Sequence, residues 1–178
     1  MKIIGIDPGT LFTGYGVIKY ENNKLFFLES GIIKTDSKLA IPIRLQNIFN
    51  EISRIMKIHR PDTFAIETAF AGKNIQSALK LGQARGVALL SATNLNIPVF
   101  EYSPREVKKA IVGKGNASKE QVKFMVATLL NLKKEIKKLD ETDALSIAIC
   151  HAFNLNSNSS NNSSWKNFIK NNPNKIIG

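Results

Sequence analysis

Ile3-Ile4-Gly5-Ile6-Asp7-Pro8-Gly9 sets an apolar run against a carboxylate and then against a chain-breaking pair. Such a run reads as a buried strand that ends at Asp7 and leaves its side chain at a sheet edge. The same pattern recurs at Phe64-Ala65-Ile66-Glu67, where a second apolar run closes on an acid. It is inverted at Asp140 and Asp143, which open the helical stretch Ala144-Leu145-Ser146-Ile147-Ala148-Ile149. Three positions apart, those two acids project from one side of a first helical turn. If two strands and a helix belong to one sheet-centred fold, all four carboxylates converge on one point. Anions so placed raise one another's pKa values, and a divalent cation relieves the strain. Oxygen donors select a hard ion, Mg²⁺ or Mn²⁺, over zinc. Phosphate chemistry follows.

Each acid also has a plainer reading. Asp before Pro-Gly is an ordinary turn former. Asp140 at an N-cap and Asp143 at the third position would satisfy free N–H groups and the helix dipole. Capping and metal binding are compatible. Glu67 is less easily dismissed, because a strand-end carboxylate is a common ligand position at the edge of an open α/β sheet.

Outward from these runs, the β-rich stretches Gly14 to Tyr20 and Lys24 to Lys34 flank the Glu21-Asn22-Asn23 turn and complete an antiparallel meander with the first strand. Leu45, Ile48, Phe49, Ile52, Ile55 and Met56 recur at helical spacing, with Pro42 in the first turn and a stop near Arg60-Pro61. A strand over 62–67, a long helix over about 75–93 and a strand over 98–102 come next. Strand and helix now alternate, so the sheet needs a parallel component. Helices over 104–111, 118–130 and 140–153 finish the fold, and Ser118 with Gln121 has capping-box spacing.

At 178 residues, with 43% apolar, the chain is one domain by length with a core of ordinary size. The domain is expected over 1–153. From 154 to 178 the composition turns to Asn and Ser, which cannot offset chain entropy and reads as a flexible tail, with Trp165, Phe168 and Ile169 as a small apolar patch. Twenty-five Lys and Arg against 14 Asp and Glu give a formal charge of +11, which favours an anionic partner, nucleic acid first. A membrane is excluded as that partner, since no apolar stretch is long enough to span and no basic amphipathic helix dominates. The N-terminus meets a charge and a turn too early for a secretory signal, so a cytoplasmic protein is expected. Cys150 reads as core.

Other positions carry weaker signals. His151 lies about 12 Å along the helix from Asp143, too far to share its metal, and His59 reads as helix-end surface. Gly113-Lys114-Gly115 lacks the P-loop pattern. Lys119, opening a helix, reads equally as solvated or as part of an active site. Phe70 stands in the basic, small-residue loop 68–74, where an aromatic ring can stack on an unpaired base or fold onto the core. Gly82 and Gly86 share a helix face at a cost of roughly 1 kcal/mol each against Ala, which suggests that a backbone approaches there, from an internal strand or a second subunit.

The blocks Gly5-Ile6-Asp7-Pro8-Gly9, Thr13-Gly14-Tyr15-Gly16-Val17, Phe64-Ala65-Ile66-Glu67, Ser77-Ala78-Leu79-Lys80-Leu81-Gly82-Gln83-Ala84-Arg85-Gly86, Val99-Phe100-Glu101-Tyr102 and Asp140-Glu141-Thr142-Asp143-Ala144-Leu145 occur in this order. Together they strongly resemble the RuvC family of bacterial Holliday-junction resolvases, over residues from about 2 to 151. The resemblance implies a ribonuclease H-like α/β fold, a mixed five-stranded sheet flanked by helices, working as a homodimer on four-way junction DNA. It puts Asp7, Glu67, Asp140 and Asp143 on the family's catalytic, metal-binding positions, with Mg²⁺ or Mn²⁺ as two ions per subunit. Phe70 falls on its junction-contacting aromatic, and Lys108 and Lys119 on basic positions near the cut strand. Lys73, Lys80, Arg85 and Lys114 are further expected DNA contacts, and Lys119 is counted with the catalytic set. The branch-migration proteins RuvA and RuvB are the implied partners. The Asn/Ser-rich tail departs from the family.

Two other classes stay in view. Gly-Ile-Asp-Pro-Gly-Thr also resembles the first phosphate motif of actin-like sugar kinases and ATPases, whose second lobe this chain is too short to supply. A non-catalytic junction-binding protein would keep DNA affinity without the carboxylates.

Overall fold

A computed structural model describes residues 1–68, 75–132 and 138–157. Five strands form one sheet in the order β3-β2-β1-β4-β5. β1 (Lys2–Asp7), β2 (Phe12–Glu21) and β3 (Lys24–Lys34) are the antiparallel meander the sequence predicts. β4 (Thr63–Glu67) and β5 (Val99–Tyr102) extend it in parallel from β1. Between and after them come α1 (Ile41–His59), α2 (Ile75–Thr93), α3 (Pro104–Val112), α4 (Lys119–Leu129) and α5 (Leu139–Ser157).

Alternation along the strands sends the sheet's side chains into two cores. On one face Ile4, Ile6, Val17, Phe64 and Ile66 pack under Ile48, Ile52, Ile55 and Met56 of α1 and Ala84, Ala88 and Ala92 of α2. On the other, Ile3, Ile18 and Ala65 meet Val107 and Ile111 of α3, Val122 and Val126 of α4, and the apolar length of α5. Ile3, Ile4, Ile6 and Ile66 are fully buried, each contributing about 1.5–3 kcal/mol relative to exposure. Cys150 is buried core, as expected.

Local chemistry fixes where the helices begin. Ser118 and Gln121 make the anticipated capping box of α4, and Ser103 with Glu106 makes another at α3. α5 departs from expectation at both ends. It starts at Leu139, so Asp140 lies inside the first turn rather than at its N-cap. It also runs to Ser157, beyond the Phe153 at which the Asn/Ser composition changes the reading, because Leu155 still packs on the core. His59 is no simple surface residue: its Nε2 lies 2.7 Å from Glu29 Oε2, tying the end of α1 to β3.

Gly82 and Gly86 give a second correction. Among the described residues a Cβ at either would meet nothing within 4 Å, so no described strand approaches that face of α2.

Candidate active site

β1 and β4 run parallel with Ile6 beside Ile66, so Asp7 and Glu67 emerge side by side at their carboxyl ends. Both point to the α5 face, since Ile4, Ile6 and Ile66 fill the opposite core and side chains alternate. The sheet is almost bare of side chains where α5 crosses it. A Cβ on Gly14 would overlap the carbonyl of Asp140, one on Gly5 would overlap that of Ala144, and one on Gly16 would stand 2.7 Å from Leu145 Cδ2. Gly14 is also the register partner of Asp7. Three glycines thus let the first turns of α5 lie directly on β1 and β2, which lays Asp140 and Asp143 over the strand end that carries Asp7.

The electrostatics report that proximity. The Asp7 carboxyl is pushed from its ordinary 3.8 up to about 8, by burial first and then by Asp143, Glu67 and Asp140, with Lys119 opposing. Glu67 is raised by burial and Asp143, and is relieved by Lys119 and Lys108. Asp143 is raised by burial, with Lys119 the largest opposing influence. Lys119 Nζ stands 3.7 Å from Asp143 Oδ2. The cap on Ser118 places that lysine at the first position of α4, so its presence at the site follows from local sequence.

The convergence is therefore electrostatic rather than a closed cage: among the described residues, no three His, Cys, Asp or Glu side chains stand in a geometry that could hold a metal ion. The donor set nevertheless fits a hard divalent cation. Four carboxylates supply only oxygen, and the anionic form of Asp7 needs added positive charge. Asp143 follows the first bonded N–H of α5, that of Thr142 to the Lys138 carbonyl, and its carboxylate meets Lys119.

Other predicted residues take varied places. Lys108 is half-buried on α3, near enough to Glu67 and Asp143 to lower both. Lys80 and Lys114 are exposed. Arg85 is turned inward: its Nε donates to the Glu67 carbonyl at 3.3 Å and its guanidinium pairs with Glu101. It thus braces the end of β4, a role its sequence position does not signal. His151 is buried away from the carboxylates, with Nδ1 2.7 Å from the Tyr102 hydroxyl and its ring 4.3 Å from that of Phe100. Phe70, Lys73, Trp165, Phe168 and Ile169 lie outside the described residues. Sequence reasoning also missed Arg44, a buried guanidinium that donates to the Thr10 carbonyl and fixes the loop after Asp7.

Comparison with known proteins bears on this constellation. The family described as crossover junction endodeoxyribonuclease RuvC matches residues 3–151, a span that includes all four acids. This chain belongs to the RuvC family. It is 51% identical over 152 residues to the crossover junction endodeoxyribonuclease RuvC of Alkaliphilus oremlandii, covering 85% of this chain and 93% of the relative. The RuvC of Geotalea uraniireducens is 49% identical over 152 residues, covering 85% and 88%. That of Cytophaga hutchinsonii is 42% identical over 174 residues, covering 98% and 87%. Among solved structures, T. thermophilus RuvC in complex with Holliday junction substrate aligns with a TM-score of 0.84 and 33% identity, covering 89% of this chain and 97% of that one. The yeast mitochondrial Holliday junction resolvase Ydc2 shares the fold, at a TM-score of 0.61 and 14% identity over 97% and 83% of the two chains. The ribonuclease H-like α/β architecture expected of RuvC proteins is the one this chain adopts.

Proposed function

We propose that this protein is a structure-selective endonuclease that resolves four-way DNA junctions in recombination and repair by hydrolysing phosphodiesters. The observation that carries the proposal is the carboxylate cluster, with Asp7 half-buried among three acids at the sheet edge and Lys119 and Lys108 beside it. Asp7, Glu67, Asp140 and Asp143 would hold Mg²⁺ or Mn²⁺, two ions per subunit. The chemistry such ions would supply there is Lewis acidity, toward an attacking water and toward charge on the departing oxygen. The chain's own residues set the stage. Partial burial of Asp7, Glu67 and Asp143 lowers the water content around the reacting phosphate and strengthens the charges in the site. Lys119 and Lys108 attract the anionic backbone and restrain the carboxylates from accumulating protons.

A twofold junction is cut symmetrically when two such sites are held at a fixed separation, so the protein works as a homodimer. Ile75, Leu79 and Leu90 are exposed on α2, and Gly82 and Gly86 lie open between them at helical spacing. That face is the proposed subunit contact. RuvA and RuvB are the proposed partners, and the cytoplasm the proposed location. Phe70 and Lys73 in the loop after Glu67, Lys80, Lys114 and the paired Arg85 are the proposed DNA-contacting set. The nuclease domain expected over 1–153 extends to Ser157, the end of α5, and the Asn/Ser-rich remainder is the proposed tail. Among the described residues no helix is long and apolar enough to cross a membrane.

A synthetic four-way junction, compared with a linear duplex with and without Mg²⁺, tests the proposal. Asp7→Asn, Glu67→Gln, Asp140→Asn and Asp143→Asn should each slow cutting on the order of a thousandfold, a barrier change of about 4 kcal/mol, while junction binding persists. Two of these variants cutting within about tenfold of the native rate would remove the metal-site reading, because less than about 1.4 kcal/mol would then rest on each acid.

A further inference from the structure

The meander places one large aromatic on the catalytic face beyond the carboxylates. Gly14 faces α5, because its missing Cβ lies against Asp140. Phe12 is two residues earlier on the same strand, so it shares that face, about 7 Å from Gly14 at 3.4 Å per residue. The neighbouring register agrees: Thr13 pairs with Ile33, which packs in the opposite core, while Phe12 pairs with Lys34. β1 ends at Asp7, opposite Gly14, so Phe12 extends past the end of β1. Phe12 is 45% exposed and Leu11 beside it 39%.

These residues are held rigidly. The Arg44 Nε and Nη2 donate to the Thr10 carbonyl at 3.0 and 2.5 Å. The Thr35 hydroxyl donates to the same oxygen at 2.6 Å, and the Thr35 N–H donates to the Leu11 carbonyl at 3.0 Å. Arg44 is only 8% exposed, so this clamp is screened from water. Beside it opens a recess of about 540 Å³ lined by Leu11, Phe12, Lys34, Thr35, Asp36 and Ser37. Asp36 is partly spoken for, since its Oδ1 accepts the Lys38 N–H at 2.9 Å. An exposed ring with a lysine across the ladder is the arrangement that stacks a base while attracting its phosphate.

We propose that Phe12, with Lys34, is a second nucleotide-contacting platform, which holds the strand on the β2–β3 side of the scissile phosphate. Phe12 stands two residues beyond Gly14, the register partner of Asp7, so its ring meets a nucleotide flanking the cut. The inference rests on the nuclease reading and adds a positioning residue to it.

The test places 2-aminopurine at each nucleotide flanking the cut of a four-way junction, bound to the full chain before any divalent cation is added. The native protein should change the fluorescence at one flanking position. Phe12→Ala should lose that change and cut roughly tenfold more slowly once Mg²⁺ is supplied, while Phe12→Tyr should keep both properties. Circular dichroism should be native in both variants, because the ring is exposed. Unchanged fluorescence at every position overturns the proposal, as does an alanine variant that cuts at the native rate. Altered self-association with normal cutting also overturns it, and would make the patch a protein interface. Native protein that binds the junction, changes the fluorescence and never cuts would count against the nuclease reading alone.

Discussion

Asp7 is the residue whose charge state governs the site. Its pKa rises from 3.8 to about 8 on folding, so between those values the unfolded chain releases a proton that the folded chain retains. The folded state then binds more protons, and stability falls as pH rises through that window. Without metal, the melting temperature should therefore drop between about pH 5 and 8, and Asp7→Asn should flatten the drop and melt higher than the native protein at pH 8. Thermal denaturation in chelator at several pH values checks this; a parallel pair of curves would mean that Asp7 does not control it. Apparent Mg²⁺ affinity should rise over the same interval, because the cation must displace a proton. Asp7 and Glu67 were legible in the sequence, since each ends an apolar run. The bracing of Glu67 by Arg85 was not, because nothing in a sequence pairs residues from a strand and the helix after it at a particular carbonyl. The same holds for His59 and Glu29, which are 30 positions apart.

At the level of elements, the cradle under α5 does the placing. Gly14→Ala would put a methyl into the Asp140 carbonyl, so α5 must shift or the strand must bend. Overpacking of this kind costs about 1–3 kcal/mol. A displacement near 1 Å at the reacting groups costs about a hundredfold in rate. We expect Gly14→Ala to cut at least that much more slowly while remaining folded, as judged by circular dichroism beside a cleavage assay. α2 makes the opposite prediction, because the structure leaves its glycine face open. Gly86→Leu should fold normally and divide the proposed dimer on sedimentation; a folded dimer would send the interface elsewhere. Strand and helix order was readable from apolar periodicity, and α4 from its cap. The length of α5 was not, because Asn154 reads as tail in composition yet sits in a helix, with its Nδ2 3.5 Å from Cys150 Sγ. The role of Gly5, Gly14 and Gly16 was equally hidden, since a glycine records what it makes room for only once the partner is in place.

Across the whole molecule, the charge of +11 coexists with a site built of acids. Lys119 and Lys108 supply positive charge beside the acids, and the net excess of lysine and arginine favours an anionic partner over the molecule as a whole. Junction binding should be steeply salt-dependent: six phosphate contacts lose on the order of a thousandfold in affinity between roughly 50 and 200 mM salt. Titrations at graded salt measure the slope, and a flat response would remove the backbone-contact account. The two cores on either side of the sheet bear differently on this machinery, and the bare sheet surface beneath α5 explains how. At Gly5 and Gly14 the strand meets the carbonyls of Ala144 and Asp140 directly, so main chain rather than a long side chain sets the spacing there. Substitutions in α1 itself, at Ile48, Ile52 or Ile55, should then shorten the lifetime of the folded protein more than they alter turnover per folded molecule. A lineage could trade thermal tolerance freely without retuning its chemistry, so long as those three glycines are kept.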